Sequence, residues 1–209
     1  MTLYIPSHFR VEDRAELLEF MRANAFATLV SSGADGLHVS HVPLIAEEST
    51  DGSVRLLGHV ARANPQWRAL EKADPVVAIF NGPHAYVSPS WYEHHPAVPT
   101  WNYAVVHAHG KPRLMDEAAL RELLRRLSST YEEGRAAPWR MESLPSEFVT
   151  KLVGVIGGFT IEVERLEGKF KLSQNRPGQD AARVRAELQA GGETQLAALM
   201  AAHGAGRKG

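Results

Sequence analysis

The sequence predicts a mainly β protein with peripheral helices, of the α+β class, and three observations lead to this prediction. Short apolar segments follow one another with turn signals such as "GADG" and "STDGS" between them, which is typical of an antiparallel meander. Strand and helix patterns do not alternate as βαβ units require. No predicted strand is followed by the GxGxxG or P-loop pattern of a parallel nucleotide-binding sheet. About six strands with short connections predict a small β-barrel.

The N-terminal part of the chain contains one predicted helix followed by the meander. Residues 13–24 place apolar side chains on one helical face, and Asp13 with Glu16 resembles a capping box. The strands predicted after this helix are 26–32, 37–46 and 54–61.

The middle of the chain combines a short helix with a long connection. Asn64 is placed to cap the helix, and Pro65 suits its first position. Residues 81–100 contain four prolines and predict a long ordered excursion. The strands predicted on either side of this excursion are 75–80 and 101–115, the second with a potential break at Gly110.

The last part of the chain begins with the strongest helical pattern, residues 117–133, with Asp116 as its cap. A turn at Glu167-Gly168 is predicted to separate strands 159–166 and 169–173, and the tail offers one or two alanine-rich helices. The whole chain, 1–209, is predicted to be one domain with a helical N-terminal segment and a helical C-terminal tail at about 179–203.

Composition limits the classes of function. The formal net charge is -1 and the pI about 6.8, so no global positive field attracts nucleic acid or anionic lipid. The chain has no cysteine, which excludes disulfides and thiolate chemistry. No stretch approaches the ~20 apolar residues of a membrane helix, and the N-terminus lacks the apolar core of a signal peptide. We therefore expect a cytoplasmic protein without a membrane partner.

A candidate phosphate site lies in "GHVARANPQW", residues 58–67. Backbone N–H groups at a helix start, together with the arginine at position 62, form a natural cradle for phosphate. The alternative is a capped helix with a surface arginine, which the stretch taken alone favours.

Two further stretches suggest recognition of a flat heterocycle. In "KLSQNRPG", the side chains of Ser173 and Gln174 can bond to the polar edge of a ring, while Lys171 offsets negative charge. In "VPTWNY", Trp101 offers a stacking surface and Asn102 an edge contact. The alternatives are a polar turn at a strand end for the first stretch and core packing for the second.

Two other patterns give weaker evidence of function. The ten histidines include no spacing such as HExxH, so we predict no dedicated metal site. The basic run "RELLRRL" could contact nucleic acid, although such a run is more often the solvated face of an amphipathic helix.

Six motifs in chain order resemble the PaiB family, whose members are described as FMN-binding negative transcriptional regulators. The resemblance runs from residue 4 to about residue 190. The motifs are "YIPSHF" at 4–9, "HVPLI" at 41–45, "GHVARANPQW" at 58–67, "GPHAYVSPSWY" at 82–92, "VPTWNY" at 98–103 and "KLSQN" at 171–175.

This resemblance implies a split β-barrel similar to the pyridoxamine-phosphate-oxidase-like folds. It further implies a homodimer with FMN in a groove at the subunit interface. The residues that the resemblance assigns to the phosphate and ribityl chain are His59, Arg62 and Asn64, with His41 lining the flavin. Those expected from the partner subunit are Trp101, Asn102, Lys171, Ser173 and Gln174.

Three functions follow from these observations. The first is a flavin-binding negative transcriptional regulator, for which DNA binding rests on the family resemblance alone, since no helix-turn-helix pattern is present. The second is an FMN-dependent oxidoreductase in which the flavin carries the chemistry and no side chain stands out as catalytic. The third is haem binding by a histidine-rich split barrel.

Overall fold

The structure is a computed structural model that describes residues 3–33, 35–72 and 74–204. The strands of these residues are β1 (Arg10–Val11), β2 (Phe26–Gly33), β3 (Gly36–Pro43), β4 (Ile45–Glu48), β5 (Val54–Ala61), β6 (Val76–Val87), β7 (Thr100–Leu114) and β8 (Ile156–Lys171). The α-helices are α1 (Arg14–Ala23), α2 (Gln66–Glu71), α3 (Glu117–Glu132), α4 (Ser146–Gly154), α5 (Gly178–Ala190) and α6 (Thr194–Ala202). No helix among the described residues is long and apolar enough to cross a membrane.

The strands join in the order β3-β2-β6-β7-β8-β5-β4, and β1 pairs with β8. The β2–β3 hairpin is antiparallel, with Thr28 opposite His41. The β5–β8 pair is also antiparallel and runs from Val54 opposite Val163 to Ala61 opposite Ile156. The mainly β architecture with peripheral helices is therefore confirmed.

Contacts divide the chain into two compact units. Unit 1 comprises the described parts of Met1–Phe20, Asn81–His107 and Glu167–Gly209. Unit 2 comprises those of Met21–Phe80 and Ala108–Leu166. Because β6, β7 and β8 are long, each strand passes from one unit into the other.

Unit 2 is built around buried residues of its strands, and α3 covers one of its faces. Leu57 of β5 packs with Leu123 and Leu127 of α3 in one apolar cluster. Leu120, nearer the start of α3, packs with Val149 and Val153 of α4. Helix α3 begins as predicted, because the Asp116 side chain accepts a hydrogen bond from the backbone N–H of Ala119 at 2.8 Å.

Unit 1 has its own apolar contacts. The rings of Phe20 and Phe170 lie 4.8 Å apart between centroids. The tail, predicted as one or two helices, forms the two helices α5 and α6, which are in contact with each other. Val184 of α5 and Leu196 of α6 are both 0% exposed. The predicted cap of α1 is also present, since the Asp13 carboxylate accepts from the N–H of Ala15 at 3.0 Å.

Two predicted interruptions of strands are wrong, and both positions are glycines at close contacts. Strand β8 continues through the predicted turn at Glu167-Gly168, where a Cβ on Gly168 would lie 2.3 Å from Leu17. Strand β7 does not break at Gly110, where a Cβ would lie 2.1 Å from the backbone oxygen of Glu162. Each glycine is thus explained by close packing and not by a turn.

Further differences concern the extent of the elements. Strand β6 continues to Val87, so the connection before β7 is residues 88–99, shorter than the predicted excursion over 81–100. The reason is that Ala85 and Val87 are buried while His84 and Tyr86 are exposed, which continues strand alternation beyond the first proline. The predicted strand 37–46 is two strands, β3 and β4, and helix α4 was not predicted.

Candidate functional site

The nine predicted site residues fall into two groups, one in each compact unit. Unit 2 contains His41, His59, Arg62 and Asn64. Unit 1 contains Trp101, Asn102, Lys171, Ser173 and Gln174.

Arg62 lies at the start of the connection from β5 to α2, and the protein contacts its guanidinium through Nε and one face. Its Nε atom donates to the backbone oxygen of Ile156 at 2.9 Å, and its guanidinium lies 5.0 Å above the Trp67 ring centroid. The side chain is on the surface, and its two terminal nitrogens have no protein partner among the described residues. An arginine fixed in this way presents its free N–H groups to an anion such as phosphate.

Asn64 shapes the same connection. Its side-chain oxygen accepts from the N–H of Gln66 at 2.9 Å, so it binds the first turn of α2, which begins one residue later than predicted. Its amide nitrogen donates to the hydroxyl of Ser40 at 2.8 Å. Asn64 therefore ties the Arg62 connection to β3, the strand of His41.

His41 lies on the exposed face of the β2–β3 hairpin. Its Nδ1 atom is 3.1 Å from the hydroxyl of Thr28, and its ring stacks at 6.2 Å from that of Phe26. The structure therefore brings His41 and Asn64 to adjacent elements, through Ser40.

His59 lies on the opposite face of the sheet from Arg62. A Cβ atom on Gly158, which pairs with His59, would point at α3. A Cβ atom on neighbouring Gly157 would point at the Trp67 ring, 2.3 Å away, and this ring carries the Arg62 guanidinium. Because successive strand residues face opposite sides, the structure does not place His59 beside Arg62.

Burial lowers the pKa of His59. Its Nδ1 atom is buried and has no hydrogen-bond partner among the described residues. The environment therefore favours the neutral imidazole.

We expect stability to fall as the pH drops below neutral, in part through His59. The unfolded chain takes up this proton around the ordinary pKa of 6.5, whereas the folded chain does so only at lower pH. A His59→Asn variant should lose this component, which cannot exceed about 1.4 kcal/mol of unfolding free energy per pH unit. Urea unfolding of both proteins at about pH 7.5 and about pH 5.5 measures it. A difference between the two proteins that is the same at both pH values would contradict the expectation.

In unit 1, Trp101 belongs to an exposed aromatic surface. Trp101 is 53% exposed, and its ring lies 6.3 Å from the ring of His84 and 6.1 Å from that of Tyr86. We call His84, Tyr86, Trp101 and Tyr103 the aromatic shelf. A cavity of about 450 Å³ opens beside Trp101, and the residues that line it are Asn81, Gly82, His84, Trp101, Tyr103, Ala104 and Val105.

Sequence reasoning missed the shelf residues His84 and Tyr86 as members of a site. The signal was present in "PHAYV", where ring-bearing residues alternate with apolar ones as on a strand with one open face. It was overlooked because residues 81–100 were interpreted as a loop.

Positive charge lies close to the shelf. The Lys171 ammonium donates to the hydroxyl of Thr100 and to the backbone oxygen of Trp101. Lys169 is 8% exposed, and its Nζ atom lies 5.4 Å from the ring centroid of Tyr103. Burial lowers the pKa of Lys171, and the charges of Lys169 and Arg176 lower it further. These neighbouring cations favour an anionic or electron-rich ligand in this unit.

The remaining three predicted residues bond to their own chain. Asn102 is 0% exposed, and its amide nitrogen donates to the hydroxyl of Ser173 at 2.9 Å. Ser173 is itself buried and has a left-handed φ of 68°. The Gln174 amide accepts from the N–H of Leu172 at 2.7 Å and donates to the oxygen of Phe170 at 2.6 Å. In this structure these side chains shape the end of β8, and their role as cofactor contacts stays a prediction.

Solved structures share this fold. The FAD and haem binding protein from Mycobacterium smegmatis is similar with a TM-score of 0.60 and 16% identity, covering 78% of this chain and 73% of that one. The flavocytochrome Anf3 from Azotobacter vinelandii is similar with a TM-score of 0.58 and 16% identity, covering 80% and 72%. The fold is thus that of the split-barrel class, as the sequence predicted.

The chain belongs to the family whose model is described as "Putative FMN-binding domain", which matches residues 3–165. The protease synthase and sporulation protein PAI 2 of Bacillus subtilis (strain 168) is 38% identical over 188 residues, or 90% of this chain and 89% of the relative. A protein of Emericella nidulans is 37% identical over 171 residues, covering 65% and 68%. The resemblance to the PaiB family is confirmed, and FMN is the cofactor of the matched family.

Proposed function

We propose that the chain is an FMN-binding protein of the PaiB type that forms a homodimer and acts as a negative regulator of transcription. The observation that carries the FMN proposal is the Arg62 side chain. It is anchored through Nε and the Trp67 ring, and its terminal nitrogens are open to a phosphate. This is the geometry that a phosphate dianion needs for two parallel hydrogen bonds.

Different residues bind different parts of the cofactor. Arg62 holds the phosphate, and the connection that Asn64 shapes lies along the ribityl chain. The aromatic shelf lines the isoalloxazine, with Lys171 and Lys169 favouring its electron-rich edge. Bound FMN supplies redox chemistry at its ring, while the protein binds and orients it.

A homodimer accounts for an exposed apolar surface on unit 2. Phe26, Leu37 and Val39 of the β2–β3 hairpin are 69%, 65% and 57% exposed. A second copy of the chain would cover this surface and the free edge of β3. In such a dimer, one subunit supplies Arg62 and the other the aromatic shelf. Light scattering that gave the mass of a single 23.0 kDa chain would contradict this arrangement.

The regulatory role rests on the resemblance to the PaiB family, and the relative PAI 2 is named a protease synthase and sporulation protein. The arginines in the basic run of helix α3 are paired with carboxylates. Arg121 pairs with Glu117, Arg125 with Glu122 and Glu142, and Arg126 with Glu47. These ion pairs favour the solvated-face interpretation of the run. A gel shift on DNA upstream of the protein's own gene, measured at two salt concentrations, tests direct recognition, and absence of binding would exclude it.

One observation favours a second candidate, an FMN-dependent oxidoreductase. Trp101 is about half exposed and the cavity beside it is open, so a second planar molecule could approach a ring bound there. Bleaching of the flavin by NADH or NADPH without oxygen distinguishes the two functions. If neither reductant bleaches it, this reductase activity is excluded.

We expect a Trp101→Ala variant to bind FMN and riboflavin more weakly by the same factor, about tenfold, because ring stacking does not involve the phosphate. Quenching of flavin fluorescence on titration measures both affinities. The matched control is Trp139→Ala, because Trp139 is comparably exposed at 46% but lies in the connection between α3 and α4, which contains no predicted site residue. Equal losses in the two variants would contradict the assignment of the shelf.

A further inference from the structure

The connection between β6 and β7, residues 88–99, is held by the start of helix α5. We call residues 88–99 the proline loop, since three prolines lie in it. The loop ends directly before Thr100 and Trp101, the first residues of β7. Its position therefore affects the aromatic shelf, and the residues that hold it come from more than 80 positions later in the chain.

The central contact is the carboxylate of Asp180, in the first turn of α5. Its Oδ1 atom accepts from the backbone N–H groups of Glu93 at 2.8 Å and His94 at 3.4 Å. The same oxygen lies 3.2 Å from Nδ1 of the His94 ring. One buried oxygen thus receives three donors from two adjacent loop residues.

Asp180 is 0% exposed, which is unusual for a carboxylate. Burial raises its pKa, but the hydrogen bonds from Glu93 and His94 outweigh burial and hold the pKa below its usual value. The group is therefore ionised at neutral pH. Its second oxygen, Oδ2, is buried and has no partner among the described residues, so the loop contacts are what stabilise the charge.

Neighbouring residues of the same segment reinforce the contact. The Gln179 amide donates to the Glu93 carboxylate at 2.6 Å, and Arg183 lies 3.7 Å from that carboxylate. The Arg176 guanidinium lies 4.4 Å above the ring of Tyr92, which is 2% exposed. All of these residues belong to unit 1.

We propose that Asp180 is a positioning residue for the flavin site: by fixing Glu93 and His94, it sets the proline loop and through it the orientation of Trp101. The C-terminal segment would then be part of the binding machinery, although Asp180 itself does not touch the cofactor. The flavin titration that tests this inference rests on the proposed function, whereas the hydrogen-exchange measurement rests on the loop contacts alone.

The test compares the full-length wild type with Asp180→Asn, which keeps the side-chain shape and removes the charge. The control is Asp116→Asn, at the cap of α3 in unit 2, where asparagine caps as well as aspartate does. Hydrogen exchange follows the amides of Glu93, His94 and residues 100–103. Flavin titration follows FMN and riboflavin, well below the unfolding transition, where a merely less stable variant stays folded.

For Asp180→Asn we expect exchange at Glu93, His94 and residues 100–103 to be about tenfold faster, and both flavins to bind more weakly by a common factor of about three- to tenfold. Asp116→Asn should change neither. Wild-type exchange rates together with wild-type flavin affinity in Asp180→Asn would overturn the proposal. If the wild type binds no flavin, the proposed function fails, and the exchange data still decide: faster exchange confined to Glu93 and His94 would overturn the positioning of Trp101.

Discussion

An Arg62→Ala variant is expected to bind FMN about 10- to 100-fold more weakly than the wild type, because it loses charge-assisted hydrogen bonds to the phosphate. Its affinity for riboflavin, which lacks the phosphate, should stay within about twofold of the wild-type value. The variant would therefore lose most of the preference for FMN over riboflavin. Titration of both ligands, followed by flavin fluorescence, measures this ratio.

The matched control for Arg62 is Arg68→Ala, which removes the same charge from an exposed position in α2. If both variants lose the same FMN affinity, a general effect of charge explains the result and the phosphate site is wrong. A loss of riboflavin affinity as large as the loss of FMN affinity would likewise contradict the assignment. The Trp101 variant supplies the complementary pattern, with both ligands affected equally.

A Gly157→Ala variant is expected to lose about 1–3 kcal/mol of unfolding free energy, through overpacking against an aromatic ring. The new Cβ would lie 2.3 Å from the Trp67 ring, which is rigid and 6% exposed, so the ring must move. Because that ring supports the Arg62 guanidinium, we expect FMN affinity to fall as well, with riboflavin affinity less affected. Urea unfolding and the same two titrations measure the two effects.

Gly154→Ala serves as the control, since Gly154 ends α4 only three residues earlier and a Cβ there would meet nothing within 4 Å. This substitution should be neutral or stabilise the protein by up to about 1 kcal/mol, because alanine restricts the unfolded chain. An equal free energy of unfolding for Gly157→Ala and Gly154→Ala would contradict the close packing of Gly157 against the Trp67 ring. The Trp67 ring would then not be held beneath the Arg62 guanidinium by this contact.

The local elements were predictable because local rules govern them. Asp13 and Asp116 cap their helices as the sequence indicates, and strand β5 has the predicted bounds, because caps and apolar alternation act over a few residues. The two errors at Gly110 and Gly168 have the opposite origin. A glycine that marks a turn and a glycine that admits a neighbouring element look alike in sequence, and only the packing partner distinguishes them.

The candidate site likewise has some features that the sequence predicts and others that only tertiary contacts determine. The motifs of the sequence determined the family, the cofactor and the two groups of polar and aromatic residues, because residue chemistry at fixed spacing carries that information. Which side chains are open to a ligand depended on contacts between distant segments. Arg62 is available, whereas the amides of Asn102 and Gln174 bond within the chain.

The sequence by itself therefore determined that this is a mainly β chain of the FMN-binding family, and it singled out Arg62 and Trp101 as candidate cofactor contacts. Only the tertiary structure decided that His59 faces away from Arg62, that His84 and Tyr86 join Trp101, and that Asp180 holds the loop before it. The physical reason is that strand pairing and burial fix which face each residue presents, and both depend on residues far away in the chain.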